Sequence, residues 1–566
     1  MMKTYMFVAT VMLLATIACG RKDEAAGNPF FSNYKTPFEV PPFDRIKHEH
    51  YLPAFNEGIA QTYKEIDNVV NNTEAPTFEN TIIAMEKSGA LLNKVGRVFY
   101  NLNGSNTNDS MQALAKEIAP MMSKLYDDIA LNVKLFGRIK SIYDQKDKLG
   151  LTDEQLMVLE RYYKEFIRGG ANLAEDKKER FRKINEELSM LTLNFSENVL
   201  KEDNGYKLVI DNKDDLAGLP DNIIAAAAKA GKDAGMEGKW VITLHKPSWI
   251  PFLQYSAKRE LREKIYTAWM NRGNNNNEFN NNETLKQIAK LRLERANLLG
   301  YPTHAHYVID DNMAKTPDRV NELLNKLWTQ SLQKAKQEVK DMQAIIDKEG
   351  GKFKLASWDW WYYAEKVKKE KYDLDENEIR PYFQLENVRT GAFNVATKLW
   401  GITFSEIKNV PVYHEDVKVF EVKNADGSHL GILYVDYFPR PSKRGGAWMD
   451  NFKYQEKMYG KDNRPVIVNV GNFSKPTADK PSLLSVDEVE TLFHEFGHAL
   501  HGLFASATYL KVSGTNVARD FVELPSQIME NWAFAPEVLK DYAKHYETGA
   551  VIPDALIEKI NKADKF

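Results

Sequence analysis

The chain has 566 residues, with 76 Lys+Arg against 79 Asp+Glu and a net charge of −3. Apolar residues make up 43% and charged residues 27%, the balance of a globular chain with a sizeable core, and 11% aromatic content excludes an acidic disordered one. The near-neutral charge gives no basic stretch for nucleic acid, and a single cysteine excludes a disulfide framework and any Cys-based metal site.

In chain order, Lys3 precedes a mostly apolar run from Tyr5 to Ala18. That run is too short to span a bilayer but suits the core of a signal peptide over residues 1–18. The only cysteine, Cys19, follows Ala18 directly and resembles a bacterial lipobox, with Thr16 standing where leucine is usual. Residues 19–30 then form a polar, lipid-anchored tether, and Lys22-Asp23-Glu24 is similar to export signals of surface lipoproteins. This places the mature protein in a bacterial cell envelope, on the periplasmic or surface side of the outer membrane.

From Tyr51 to Leu200 apolar residues recur every three or four positions, as in Leu156, Leu159, Tyr163 and Phe166. The pattern predicts packed amphipathic helices over an N-terminal helical region, residues 31–250. Two Val/Ile-bearing patches, Tyr206 to Ile210 and Trp240 to Leu244, predict a small hairpin, and the Asn-rich stretch 274–282 a solvated connection. Helical periodicity returns at Leu285 to Leu299 and at Val320 to Ile346. Val417, Val419, Leu430, Ile432 and Tyr434 then alternate around Asp426-Gly427, a hairpin signal. Pro465 to Val470 is a further β run, either a sheet edge that would pair with an extended peptide or a core strand with no exposed edge. Arg444 to Trp448 is a loop with no chemistry assigned.

The next helix, Ser485 to Leu503, contains His494-Glu495-Phe496-Gly497-His498. Residues at i and i+4 differ by about 40° around a helix and about 6 Å along it, so both imidazoles point one way and can share a zinc ion. Glu495 is rotated about 100° from His494 and about 60° from His498, beside the metal, where it takes up a proton instead of ligating. A hydrolytic zinc needs a third protein ligand and an open fourth position. His501, Glu523 and Glu530 are the candidates downstream. His501 lies roughly 10.5 Å beyond His494 along the axis, a poor geometry for convergence. The segment Asp520 to Trp532 predicts a second helix, with Pro525 near its first turn and Gly514 supplying the reversal before it. Glu523 would then face the metal. Glu530 shares that face and would orient a ligand imidazole, and Glu490 is similarly placed one turn before His494.

Phe493 to His501, Ser513 to Val517 and Arg519 to Glu523 together resemble the M3 family of zinc oligopeptidases. Asn28-Pro29-Phe30, Pro41-Pro42-Phe43, Tyr372 to Asp375 and Arg380 to Phe383 extend the likeness over nearly all of the mature chain, closest to the peptidyl-dipeptidase branch. The resemblance implies a mainly α fold, a two-lobed helical ellipsoid with a deep channel and a small β-sheet beside the zinc-binding helices. It implies a catalytic region over 251–566, one Zn²⁺ per chain on His494, His498 and Glu523, and Glu495 as general base. It also implies a monomer that acts on short peptides and releases C-terminal dipeptides. The alternatives are oligopeptidase A-like endopeptidase action, or a zinc- and peptide-binding lipoprotein without catalysis. Family members continue beyond the position of Phe566, so the stretch Ala555 to Phe566 reads as an amphipathic helix cut short, its apolar face awaiting a partner. The donors that hold the oxyanion, and the carboxylate-binding part, are expected beyond it.

If Cys19 carries lipid, Cys19→Ser moves the protein from the membrane fraction to the soluble one. Sedimentation of that variant with membranes, as for the parent chain, would refute the lipobox reading.

Overall fold

In a computed structural model, residues 27–477 and 479–563 are described; the signal-peptide and Cys19 assignments lie outside them. The protein is mainly helical, with two small sheets. Among the described residues no helix is long and apolar enough to cross a membrane.

The N-terminal helices include α1 (His48–Val70), α2 (Ala90–Ser105), α3 (Asp109–Ala130), α4 (Asp153–Arg168) and α5 (Glu175–Gly205). The three- and four-residue spacing legible in the sequence marks their packing side: Leu159 and Phe166 of α4 are buried with Val158 and Tyr162, while Leu156 and Tyr163 are half-buried, and Phe181, Ile184 and Leu188 of α5 are buried. Strands β1 (Leu208–Ile210) and β2 (Trp240–Ile242) pair antiparallel, but a helix at Asp221–Asp233 separates them, so they are not a hairpin. The Asn-rich stretch is also less free than its composition predicts, because the amides of Asn275 and Asn277 both donate to the buried carboxylate of Glu202.

After the long α6 (Pro317–Lys348) and α7 (Leu385–Trp400) comes the sheet that carries the site. It comprises β3 (Thr403–Glu406), β4 (Lys418–Lys423), β5 (His429–Asp436), β6 (Trp448–Lys453) and β7 (Val466–Val470), in the order β3-β4-β5-β7-β6. The β4–β5 hairpin turns at Asp426-Gly427 as expected. β7 lies between β5, parallel to it, and β6, antiparallel to it. It is therefore not the edge: all five of its residues are buried, and β6, beginning at the end of the loop left without chemistry, occupies the outer position.

Both sheet faces are covered. Ile432, Tyr434, Val466 and Val468 pack with the N-terminal helices, while Leu433, Val435 and Ile467 pack with α8 (Val486–Leu503). In α8 the residues Val489, Leu492, Phe493, Phe496, Leu500 and Leu503 form the buried stripe. Burying each large one contributes about 1.5–3 kcal/mol, so the stripe sets the rotation of the helix about its axis. The last helix, Asp554–Ala563, does have a partner, since Ile557 and Ile560 are buried in the same cluster as α8.

A buried ion cluster ties the end of β5 to the loop before β6. Asp436 accepts from Arg440 Nη1 at 2.8 Å and from Lys443 Nζ at 2.7 Å, and Tyr413 Oη donates to it at 2.8 Å. Arg440 also donates to Ser105 O, the last residue of α2, and Lys443 to Gly471 O. Burial draws the Lys443 ammonium down to about 8 even beside this carboxylate. Asp436→Asn leaves two buried cations short of a counter-charge, a loss of about 3–5 kcal/mol. Urea unfolding measures it, and a change under about 1 kcal/mol would show that the cluster does not hold the loop.

Candidate metal centre

Two helices deliver the polar groups of the site. The first, α8, starts at a capping box. Ser485 Oγ accepts from Glu488 N at 3.1 Å, and Glu488 returns a carboxylate oxygen to Ser485 N at 2.8 Å. The other Glu488 oxygen accepts from Ser474 N at 2.7 Å, which pins the helix start to the segment after β7. Burial pushes the Glu488 carboxyl up. With the apolar stripe against the sheet, His494 and His498 project from the opposite side of α8, their ring centroids 4.9 Å apart.

The second, α9 (Glu523–Ala533), lies directly against α8. The contact depends on Gly497, between the two histidines. A Cβ there would sit 2.6 Å from Ser526 Cα and 2.7 Å from Pro525 O, closer than real atoms approach. The missing side chain lets the backbones meet and brings Glu523 over the imidazoles. Glu523 Oε2 is 3.3 Å from His494 Nε2 and 3.1 Å from His498 Nε2. Ser526 Oγ, fully buried, shares its proton between Glu523 O at 2.8 Å and the same carboxylate oxygen at 2.9 Å.

His494 is gripped at both nitrogens, because its Nδ1 lies 2.5 Å from Glu530 Oε1. A proton on Nδ1 donated to that carboxylate leaves the Nε2 lone pair facing Glu523 and His498. Burial lowers the pKa of His498, which favours the neutral, ligating imidazole. The structure thus brings together His494, His498, Glu523 and Glu530. Glu490 is exposed on the wall of the adjoining cavity. His501 contributes no atom to the group, and its Nδ1 is buried without a hydrogen-bond partner.

One donor atom from each of His494, His498 and Glu523 lies within 4.8 Å of the others. Ligands about 2.0–2.2 Å from a tetrahedral ion stand roughly 3.3–3.6 Å apart. The observed 3.3 Å separation matches that spacing and the 3.1 Å one falls just below it. Two neutral imidazoles and one carboxylate also form a donor set suited to zinc, so the residues fit the ion.

Glu495 is not among the donors. It is 6% exposed, and its Oε2 is buried with no hydrogen-bond partner. Burial, with a smaller push from Glu523, raises its carboxyl to about 7. A divalent ion nearby would pull that value back down. His494 and Glu495 line a cavity of 340 Å³ walled by Gly446, Ala447, Asn472 and Phe473. Asn472 Nδ2 holds that wall, donating to Arg444 O at 3.0 Å and Gly446 O at 2.6 Å. Lys246, Glu488, Glu490 and Glu530 also line a larger cavity of 820 Å³, so the two adjoin.

Sequence reasoning missed Gly497, Ser526 and Asn472. The first had a legible signal, a glycine between two histidines whose helix must admit a second one. Ser526 and Asn472 had none, because their roles are visible only once the chain is folded.

Comparison with known proteins bears on this arrangement. Residues 252–566 match the model of Peptidase family M3. The chain is 41% identical over 540 residues to Dipeptidyl carboxypeptidase of Escherichia coli (strain K12), covering 95% of this chain and 79% of that one. The protein of the same name in Salmonella typhimurium is 40% identical over the same shares. Oligopeptidase A of Escherichia coli (strain K12) is 32% identical over 537 residues, 94% of this chain and 79% of the other. A family match over more than half of the chain, on top of a His-His-Glu donor set with an unpaired glutamate beside it, makes this chain a member of peptidase family M3.

Proposed function

We propose that the protein is a zinc peptidase that releases dipeptides from the C-termini of short peptides. One observation carries the chemistry: a buried, unpaired Glu495 carboxylate oxygen adjoining three convergent metal donors. The dipeptide product is supported by 41% identity to a dipeptidyl carboxypeptidase across 95% of the chain.

His494, His498 and Glu523 would hold the ion, and a bound zinc supplies a Lewis acid for the scissile carbonyl and for the attacking water. Glu530 keeps the His494 proton on Nδ1, and Ser526 keeps Glu523 Oε2 turned inward. Glu495 takes the proton of the attacking water and passes it to the leaving nitrogen. With no hydrogen bond at Oε2, no existing partner has to be displaced first. The substrate backbone would run past Gly446-Ala447, on the cavity wall beside the start of β6, the outer strand of the sheet. The 32% identity to an oligopeptidase A favours a second reading, cleavage inside the peptide.

Mass spectrometry of a digested N-acetylated hexapeptide separates the two. Release of its C-terminal dipeptide is the expected outcome, and internal cuts without dipeptides would favour the second reading. Glu495→Gln should keep its zinc and lose at least about 10²-fold in rate. Full activity in that variant would remove the proton-transfer role and leave metal binding unaffected.

A further inference from the structure

The third metal donor is the first residue of its helix, so its place depends on the segment before it, residues 504–522. Apart from one short turn at Leu510–Val512, that segment has no regular structure to set its path. Long irregular connections inside a compact fold are uncommon and are shaped from outside. Here the shaping groups come from α4 and its neighbours, some 350 residues earlier in sequence.

Arg161 Nη1 donates to two carbonyls of the segment, Lys511 O at 2.7 Å and Asn516 O at 2.6 Å. Glu154 Oε1 accepts from Thr508 N at 2.5 Å and Tyr509 N at 3.2 Å. Glu165 pairs with Lys511 Nζ at 2.5 Å, and Glu86 accepts from Lys511 N at 3.3 Å. Tyr509 is 6% exposed and packs into the same apolar cluster as Val158 and Leu159 of α4. At the far end Asp520 accepts from Met313 N and Ala314 N, each at 2.9 Å. The segment is therefore clasped along its approach to Glu523, and five of the groups held at 508–516 are main-chain groups that only a precise path can present.

We infer that Arg161 and Glu154 are positioning residues for the third metal donor. Through residues 508–516, α4 sets how tightly the His494–His498–Glu523 group holds its ion. By linkage the ion in turn tightens the clasp, since a coupling between two sites acts equally in both directions. This rests on the metal reading of the site, and the two are separable by experiment.

The test uses the full chain and zinc itself, with the zinc dissociation constant read by competition with a chromophoric chelator. Arg161→Ala should raise that constant by about tenfold or more, the scale on which groups that hold metal ligands act. Arg161→Lys should recover part of the loss, because one ammonium still donates to the two carbonyls, and Glu154→Gln should show a smaller rise. Leu253→Ala removes a fully buried side chain of a separate apolar cluster, away from the clasp, and serves as the control. It should lower the melting temperature without moving the zinc affinity of the folded chains. Amide hydrogen exchange gives a second readout: zinc should slow exchange at Thr508, Tyr509 and Lys511 in the parent chain and not in Arg161→Ala. Unchanged zinc affinity in Arg161→Ala would overturn the inference. If that variant does not fold, unchanged affinity in both Arg161→Lys and Glu154→Gln would do so. A parent chain that binds no zinc would overturn the metal reading itself.

Discussion

The site depends on the contact of α8 with α9 at Gly497. Two backbones meet where a single methyl group would stand 2.6 Å from Ser526 Cα, and that closeness lets α9 reach His494 twice. Glu523, at the start of α9, approaches Nε2, and Glu530, two turns later, approaches Nδ1. Because both carboxylates ride on one helix, any shift of α9 moves the groups at both nitrogens of His494 together. Overpacking at such a contact costs about 1–3 kcal/mol, and here the cost would fall on the geometry of the donors.

The helix pair stands on a platform built before it in sequence. The sheet is buried on both faces, so α8 is fixed in rotation by its own apolar stripe and in translation by the capping box and Ser474. The Asp436 cluster anchors the loop that brings Gly446 and Ala447 to the cavity, joining the end of α2 to the wall facing Glu495. Buried charge of this kind is costly to break and shapes its surroundings rigidly. The helix pair that carries His494, Glu495 and His498 and the cavity wall at Gly446 and Ala447 are thus held by separate networks.

Much of the site was legible because helical spacing is simple geometry. The i, i+4 histidines, the offset glutamate and the reversal at Gly514 lead to the two-helix arrangement observed, with Gly514 at a φ of +54°. Strand order was not legible. The alternation in Leu430, Ile432 and Tyr434 marks the hairpin but not its burial: seven of the eight β5 residues are buried because the sheet is covered on both faces. Nothing local says that β7 inserts between β5 and β6, since its place is set by a parallel pairing across the intervening residues 437–465. The clasp on residues 508–516 was hidden for the same reason, because its partners stand near the other end of the sequence.

The most direct measurement is the metal content of the purified chain and of its Glu523→Ala variant. The account predicts about one zinc per parent chain and loss of most of it when one of three protein ligands is removed. Equal zinc in the two proteins, at matched folding by circular dichroism, would contradict the assignment of Glu523 and with it the role given to the contact at Gly497.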